Sequence, residues 1–417
     1  MGEARVIHRP LSAIDAALAE LAQVRGFMAA GVHCGLKPGD ALDLALVASD
    51  RPCAAAGVFT TNRVKAAPVR YDQAALARNP SGVRVVAINA GNANACTGAQ
   101  GERNAARMAA LAAEAVGAGA EAALVLSTGV IGVQMNMEAA ARGIVAAAGR
   151  LSADGWRDAA RAIMTTDTRP KASCRAVAGY RVGGVAKGAG MIAPNMATML
   201  SMVVTDAALP PADLQRALAA AVGASFNRIV VDGDMSTNDT VLLLASGASG
   251  VAVEGGALAA FQDALTAVCV ELAQDIVRDA EGATRFVTLR VTGAPDAGAA
   301  RQIANAVATS PLVKTAIYGG DPNWGRVLAA AGRSGVPVEA DRLALTLVSC
   351  SGETRGQALQ LVADGTPLDY DEARAVRLMS APEIELRLEL GMGDAETTVW
   401  TCDLSHEYVT INGHYRT

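Results

Sequence analysis

Short apolar runs separated by turn residues set the pattern of the chain from residue 26 onward. Residues 42–48, 54–59 and 83–88 read as strands on this pattern, and 122–126, 180–186, 199–205 and 228–231 follow in the same manner. Longer alanine-rich segments predict helices over 104–116 and 137–148. Ser152 is placed to cap a helix running to about residue 164. Pro210-Pro211 opens a helix over 212–221, where proline is tolerated in the first turn, and 258–279 is the longest helical pattern. From about residue 285 the pattern shifts to alternating strands at 285–291, 343–348 and 383–390. Residues 397–402 and 407–411, rich in β-branched and aromatic side chains, predict two more strands close to the end. Asn412-Gly413 then predicts a turn that folds the last residues back. The shift places a domain boundary near 285, giving parts 1–284 and 285–417, in a layered α/β architecture with no repeat and no Gly/Ser linker.

One stretch departs from the rest. Between Lys187 and Asp206 there is no charge, and Gly188, Gly190 and Pro194 break any helix in its first half. At its middle, Ala197-Thr198 sets a small residue before a hydroxyl residue that opens an apolar run. A threonine hydroxyl in that position can attack the preceding carbonyl; hydrolysis of the ester then frees a chain whose own amine serves as base. On spacing alone the plainer account, a core strand opening on a threonine, is favoured. Three polar loops follow predicted strands. Residues 89–98 are small and polar, with glycines that permit close backbone approach to a ligand or simply make a turn and helix cap. Thr128-Gly129 can expose consecutive N–H groups as an oxyanion hole needs, although Thr-Gly after a strand is also an ordinary turn. Residues 232–239 hold three carboxylates, but no glutamate closes an EF-hand, leaving a hydroxyl-rich polar loop.

Composition narrows the function classes. The 417 residues are 51% hydrophobic and 18% charged, as in a folded globular protein, and only 3% aromatic, so the core is built from Ala, Val, Leu, Ile and Met. A net charge of −5 with no basic, aromatic-interleaved run argues against nucleic acid. Seven dispersed cysteines without a CxxC pair predict reduced thiols and a cytoplasmic location. The first ten residues carry charges and no apolar core, unlike a secretory signal. The uncharged run 188–205 has the length of a membrane span, but its glycines, Pro194 and Asn195 argue against one. No GxSxG elbow accompanies the four histidines, no HExxH or Cys/His spacing predicts a metal, and Gly184–Gly190 lacks the residues of a phosphate loop.

The strings NAGNANACTG (89–98), STGVIG (127–132), TTDTRPK (165–171), KGAGMIAPNMATML (187–200), VDGDMSTND (231–239), DAEGATRF (279–286), VKTAIYGGDPNWGR (313–326) and the tail INGHYRT run in order along nearly the whole chain. Together they resemble the ornithine acetyltransferase family, the glutamate N-acetyltransferases of arginine biosynthesis. That resemblance implies a four-layer α/β/β/α sandwich like that of N-terminal-nucleophile enzymes, with a smaller C-terminal α/β part. It implies self-cleavage between Ala197 and Thr198 into an alpha chain, 1–197, and a beta chain, 198–417, associated as an alpha2/beta2 heterotetramer. Thr198 is then the nucleophile, and Thr128 and Gly129 match the family's oxyanion pair. Thr166, Lys187, Thr198, Glu281, Asn412 and Thr417 match its substrate contacts, with Thr165 as the rival of Thr166. On charge, Lys187 suits a substrate carboxylate and Glu281 an amine such as that of ornithine. The implied substrates are N2-acetylornithine and glutamate, with no bound cofactor; acetyl-CoA as a second donor stays open. His414 stands where the family more often has Asp or Glu, a local change of charge. Two rivals remain: an amidase or aminopeptidase of the same fold, with water as acceptor, and a non-catalytic small-molecule-binding protein.

Overall fold

The computed structural model describes residues 7–193 and 199–414. The chain divides into two compact units. The larger comprises Arg9–Asn227 and Asp234–Ile276; the smaller comprises His8 and its neighbour Ile7, Arg228–Gly233 and the chain from Val277 onward.

The larger unit carries strands β1 (Phe27–Val32), β2 (Leu44–Phe59), β3 (Val83–Asn92), β4 (Ala123–Val130), β5 (Lys171–Val177), β6 (Tyr180–Lys187), β7 (Leu200–Thr205) and β8 (Thr240–Ala245). Its helices are α1 (Leu11–Leu21), α2 (Ala67–Arg78), α3 (Gly98–Ala115), α4 (Met137–Ala148), α5 (Trp156–Ala162), α6 (Pro211–Ala224) and α7 (Ala257–Arg278), the last ending at the unit boundary. The strand order is β4-β3-β2-β8-β7-β6-β5, with β1 also on β2. Pairs β3–β4 and β7–β8 are parallel and the others antiparallel. β2 joins the two halves: its residues 44–48 pair with β3, and Ala54 to Phe59 pair with β8. Separate strands expected at 42–48 and 54–59 are thus one strand of 16 residues. Asp50, Arg51 and Pro52 are exposed and interrupt the β3 ladder, which resumes at Cys53 opposite Val83, and the β8 ladder starts at the next residue, so the chain changes partner without ending.

Both faces of each half are covered. One continuous core draws Val47, Ile88 and Leu126 from the first half, Met202 and Leu242 from the second, and Leu21 of α1 and Trp156 of α5. The far face of the first half packs Leu46, Val85 and Val125 against Met108 of α3 and Ile144 of α4. On the far face of the second half, Gln215 of α6 bonds the backbone of Gly57, and Ser173 of β5 donates to Glu271 of α7 at 2.6 Å. Helix, sheet, sheet, helix is the expected α/β sandwich. Strands covered on both faces are apolar at consecutive positions, which is why they read as runs rather than alternations.

The smaller unit holds β9 (Phe286–Ala294), β10 (Ala344–Ser349), β11 (Ala358–Ala363), β12 (Thr366–Pro367), β13 (Glu383–Glu389) and β14 (Ala395–Cys402), in the order β12-β11-β10-β13-β9-β14. Its helices are α8 (Ala297–Ala308), α9 (Pro311–Gly319), α10 (Trp324–Gly332), α11 (Glu372–Met379) and α12 (His406–His414). Leu289, Leu347 and Leu386 face Ile303 of α8, Val327 of α10 and Leu378 of α11. Arg290 and Arg387, on the other face, are exposed, which gives β9 and β13 the alternation visible in the sequence.

Three local expectations fail. Ser152 is not a helix cap: its N–H and carbonyl are both bonded to Ala29, and α5 starts later, after Gly155. Residues 228–231 form a single bridge, Ile229 to Trp400, because their apolar side chains serve burial rather than a ladder. Residues 407–411 are helical, and Asn412-Gly413 continues α12 instead of turning. The Ser405 hydroxyl accepts the N–H of Glu407 at 3.2 Å, so a helix-start signal outweighs the β-branched composition of Val409-Thr410-Ile411. Among the described residues no helix is long and apolar enough to cross a membrane.

Candidate active site

Register brings the site residues of the larger unit together. Across the second half of the sheet, Lys187 pairs with Leu200, Leu200 with Thr240, and Thr240 with Phe59. Across the first half, Leu44 pairs with Asn89 and Asn89 with Ser127. Lys187 is the last residue of β6 and is buried. Its Nζ donates to the Thr128 hydroxyl near the end of β4 at 3.3 Å, across 59 residues of sequence.

A buried carboxylate fixes the neighbourhood of this lysine. Asp167 accepts from Lys171 Nζ at 2.6 Å, from the Gly188 N–H at 2.7 Å and from the Thr165 N–H at 3.0 Å. Burial alone would raise its carboxyl, but the ammoniums of Lys171 and Lys187 and the Gly188 N–H outweigh burial and hold it well below the ordinary range. The bend carrying Thr165 and half-buried Thr166 is thereby pinned beside Lys187-Gly188. A third lysine lies in the same field. Lys37 Nζ donates to the carbonyls of Leu42 at 2.7 Å and Ala162 at 3.3 Å. Burial and Lys187 lower it to about 8 against the opposing pull of Asp43 and Asp167. Asp43 in turn accepts four backbone N–H groups, Cys34 to Lys37, at 2.7–3.0 Å and shapes that loop. Lys37, Lys171 and Lys187 against Asp43 and Asp167 leave a net positive pocket of charge, suited to a carboxylate.

Small polar residues set the ends of β3 and β4. The Ser127 hydroxyl donates to Asn89 Oδ1 at 2.6 Å, and Asn89 Nδ2 to the Asn92 carbonyl at 2.8 Å. Asn94, at φ 48°, bonds Gly101 and receives the Thr97 hydroxyl at 2.7 Å. The NAGNANACTG stretch is therefore a hydrogen-bonded bracket as well as the lead into α3. Gly129 has φ +130°, and a Cβ there would stand 2.3 Å from the Gly91 carbonyl carbon. The two strand ends approach so closely that only glycine fits.

In the smaller unit, Glu281 follows α7 in a turn held by the Asp403 carboxylate, which accepts the N–H groups of Thr284 and Arg285 at 2.8 and 2.9 Å. The Ser405 hydroxyl donates to the Gly282 carbonyl at 2.6 Å, bringing the start of α12 onto this turn. One face of α12 then returns Asn412, whose Nδ2 donates to Glu281 Oε2 at 2.7 Å.

Of the residues singled out in sequence, Lys187 meets Thr128, next to Gly129, in the larger unit, Thr166 adjoins the Asp167 that bonds Gly188, and Glu281 meets Asn412 in the smaller. Ala197, Thr198 and Thr417 lie outside the described residues. Asp167, Asn238 and Asp239 were given no role in sequence, although they sit in the quoted motifs; a carboxylate bordering apolar runs is the signal that marks Asp239. No group of three or more His, Cys, Asp or Glu among the described residues could hold a metal ion.

An α/β sandwich with a buried ammonium against a Thr-Gly strand end has the layout of an acyl-transfer enzyme. The comparisons narrow the class. The chain belongs to the ArgJ family, whose profile matches residues 28–417. It is 50% identical over 402 residues to the arginine biosynthesis bifunctional protein ArgJ of Symbiobacterium thermophilum, covering 94% of this chain and 97% of that one. The mitochondrial ArgJ of Fusarium vanettenii is 46% identical over 420 residues, covering 94% and 92%. Among solved structures, the ornithine acetyltransferase of Mycobacterium tuberculosis complexed with ornithine is 40% identical over 42% of this chain and 94% of that chain, with a TM-score of 0.40.

Proposed function

We propose that the chain is a self-cleaving acetyltransferase that moves an acetyl group from N2-acetylornithine to glutamate through an acetyl-Thr198 ester. The observation that carries this reading is buried Lys187, in the field of the Asp167 carboxylate and with its Nζ 3.3 Å from the Thr128 hydroxyl. In maturation the Thr198 hydroxyl attacks the Ala197 carbonyl, the C–N bond breaks, and the hydroxyl proton ends on the departing nitrogen. Water then hydrolyses the ester, leaving the Ala197 carboxylate and a free Thr198 amine and hydroxyl. In turnover that hydroxyl attacks the acetyl carbonyl while the free amine takes its proton, and the C–N bond to ornithine breaks as the amine passes that proton to the departing nitrogen. The α-amine of glutamate next attacks the ester, giving N-acetylglutamate and restoring the hydroxyl. Thr128 and Gly129 stabilise the oxyanion of each step, a role worth about 2.7–4 kcal/mol per donor. Lys187 pairs with the α-carboxylate common to both substrates, Thr166 contributes a hydroxyl, and Glu281, with Asn412 and Thr417, meets the amine of ornithine.

The names of the relatives support the pathway. A cytoplasmic location and an alpha2/beta2 assembly belong to the proposal; the Fusarium relative is named as mitochondrial. Intact mass together with an acetylornithine assay tests the reading. Wild type should give two fragments and T198A a single inactive chain. Release of ornithine should depend on glutamate; release at full rate without it identifies the amidase instead. Formation of acetylglutamate from acetyl-CoA would add the second donor. A wild type that remains one chain and is fully active sinks the scheme.

A further inference from the structure

Asn238 and Asp239 have no part in the chemistry above, yet they hold two places in it. The Asn238 side chain donates from Nδ2 to the carbonyls of Ala93 at 2.7 Å and Ser127 at 2.8 Å, and Ser127 immediately precedes Thr128. The Asp239 carboxyl is 0% exposed and accepts the N–H of Met199 at 2.9 Å on Oδ1. Thr240 N–H donates to the carbonyl of the same Met199 at 3.2 Å, so residue 199 is clamped at both its N–H and its C=O. The backbone carbonyl of Asp239 is itself fixed by the Thr60 N–H at 2.9 Å.

We propose that Asp239 is a positioning residue for chemistry at the Ala197-Thr198 junction: its side chain fixes the amide of the residue after Thr198, while Asn238 beside it fixes the carbonyl of the residue before Thr128. Two adjacent side chains thereby set the flank of the nucleophile and the flank of the oxyanion donors in one frame. The inference rests on the proposed role of Thr198, without which the register of Met199 has no chemical consequence.

Charge supports the geometry. Burial pushes the Asp239 carboxyl well above the ordinary range, against the Met199 N–H, the attraction of Lys187 and the Thr60 hydroxyl, which would lower it. In the structure the carboxyl serves as a hydrogen-bonding fixture for the Met199 N–H. Its second oxygen, Oδ2, is buried with no hydrogen-bond partner among the described residues. A misplacement of about 1 Å at a reacting centre costs roughly 10²-fold in rate, so loss of one such fixture is measurable.

The experiment compares D239N with D239L in the full chain. Asparagine keeps the Oδ1 acceptor; leucine keeps the shape and removes the acceptor. D239N should cleave itself within about threefold of wild type by intact-mass time course, whereas D239L should cleave at least about tenfold more slowly. Once matured, D239L should lose a similar factor in kcat with KM within about twofold, a split that a loosened core would not give. Self-cleavage of D239L at the wild-type rate overturns the proposal, as does a cooperatively melting D239N that cleaves no faster than D239L. Should D239L not melt cooperatively, D239N decides alone: cleavage within about threefold of wild type supports the acceptor role, and a folded D239N slowed about tenfold or more overturns it. If wild type itself does not cleave, the reading of Thr198 falls; if wild type cleaves and the variants behave alike, only the role of Asp239 falls.

Discussion

Replacing Asp167 by asparagine tests the charge arrangement most directly. The side chain keeps its shape, and its Oδ1 can still accept the Gly188 N–H now met at 2.7 Å. What disappears is the acceptor of the Thr165 N–H, met at 3.0 Å on Oδ2, and the negative charge 2.6 Å from Lys171 Nζ, where both side chains are 0% exposed. Removing one partner of a buried pair costs about 3–5 kcal/mol, because the other charge keeps its desolvation penalty and loses its compensation. The urea midpoint of D167N should fall accordingly, by about 1–2 M for a slope near 3 kcal/mol/M. Replacing both partners, as in D167N/K171M, removes the stranded charge, and such neutral replacements are often close to isoenergetic. The double variant should therefore regain at least about 2 kcal/mol over D167N. Acetyl transfer should stay low in both, because the site around Lys187 has lost the negative charge of Asp167. The sign with pH is fixed by the depressed carboxyl of Asp167. Its contribution is complete above the unfolded value near 3.8 and fades as pH falls towards the lower folded value, so the gap between wild type and D167N narrows only in acid. A D167N midpoint equal to wild type, or a double variant less stable than D167N, would refute the argument.

Gly129→Ala would set a Cβ 2.3 Å from the Gly91 carbonyl carbon and force the strand ends apart by about 1 Å, so kcat should drop roughly 10²–10³-fold; steady-state turnover of matured G129A within threefold of wild type would contradict it. Glu281→Gln keeps a partner for Asn412 but not the charge, so kcat/KM for acetylornithine should fall about tenfold, or roughly 1.4 kcal/mol, and that for glutamate far less. Equal losses with both substrates would remove Glu281 from the amine site. Lys37→Met should flatten the alkaline stability profile. The native Lys37 titrates at about 8 against 10.5, so the unfolded chain binds more protons between those values and wild-type stability rises with pH across that window. Urea midpoints of K37M that rise as steeply as wild type from pH 8 to 10 would show that another group is responsible.

How much of this was legible in the sequence depends on the range of the interaction that fixes each feature. Strands at 83–88, 180–186 and 383–390 were readable because burial writes itself into consecutive or alternating side chains. β8 was passed over: Val241 to Leu244 is a short apolar run without helical or alternating period, and its identity comes only from pairing with β2 and β7. α12 was misread by composition, although Ser405-His-Glu carried the local signal of a helix start. The Asp167–Lys171 pair has the i,i+4 spacing of a helix but spans a loop and the first residue of β5, where no periodicity argument reaches.

The site itself belongs to the register of the sheet. Lys187 meets Thr128 because β6 ends level with Leu200 and Thr240, and because β4 ends level with Asn89. Those ladders connect segments tens of residues apart, and Asn238 crosses 111 residues to reach Ser127. A slip of one residue in the β6–β7 ladder would turn Lys187 to the opposite face of the sheet and leave an apolar neighbour in its place. Such a slip of β6 would also drive Val185, buried in the core between the two sheet halves, out of it. The apolar alternation that buries such side chains and the pairing that delivers the ammonium to the Thr-Gly strand end are therefore one constraint. The motifs could be recognised along the chain before the fold was known, but only the paired strands account for their convergence.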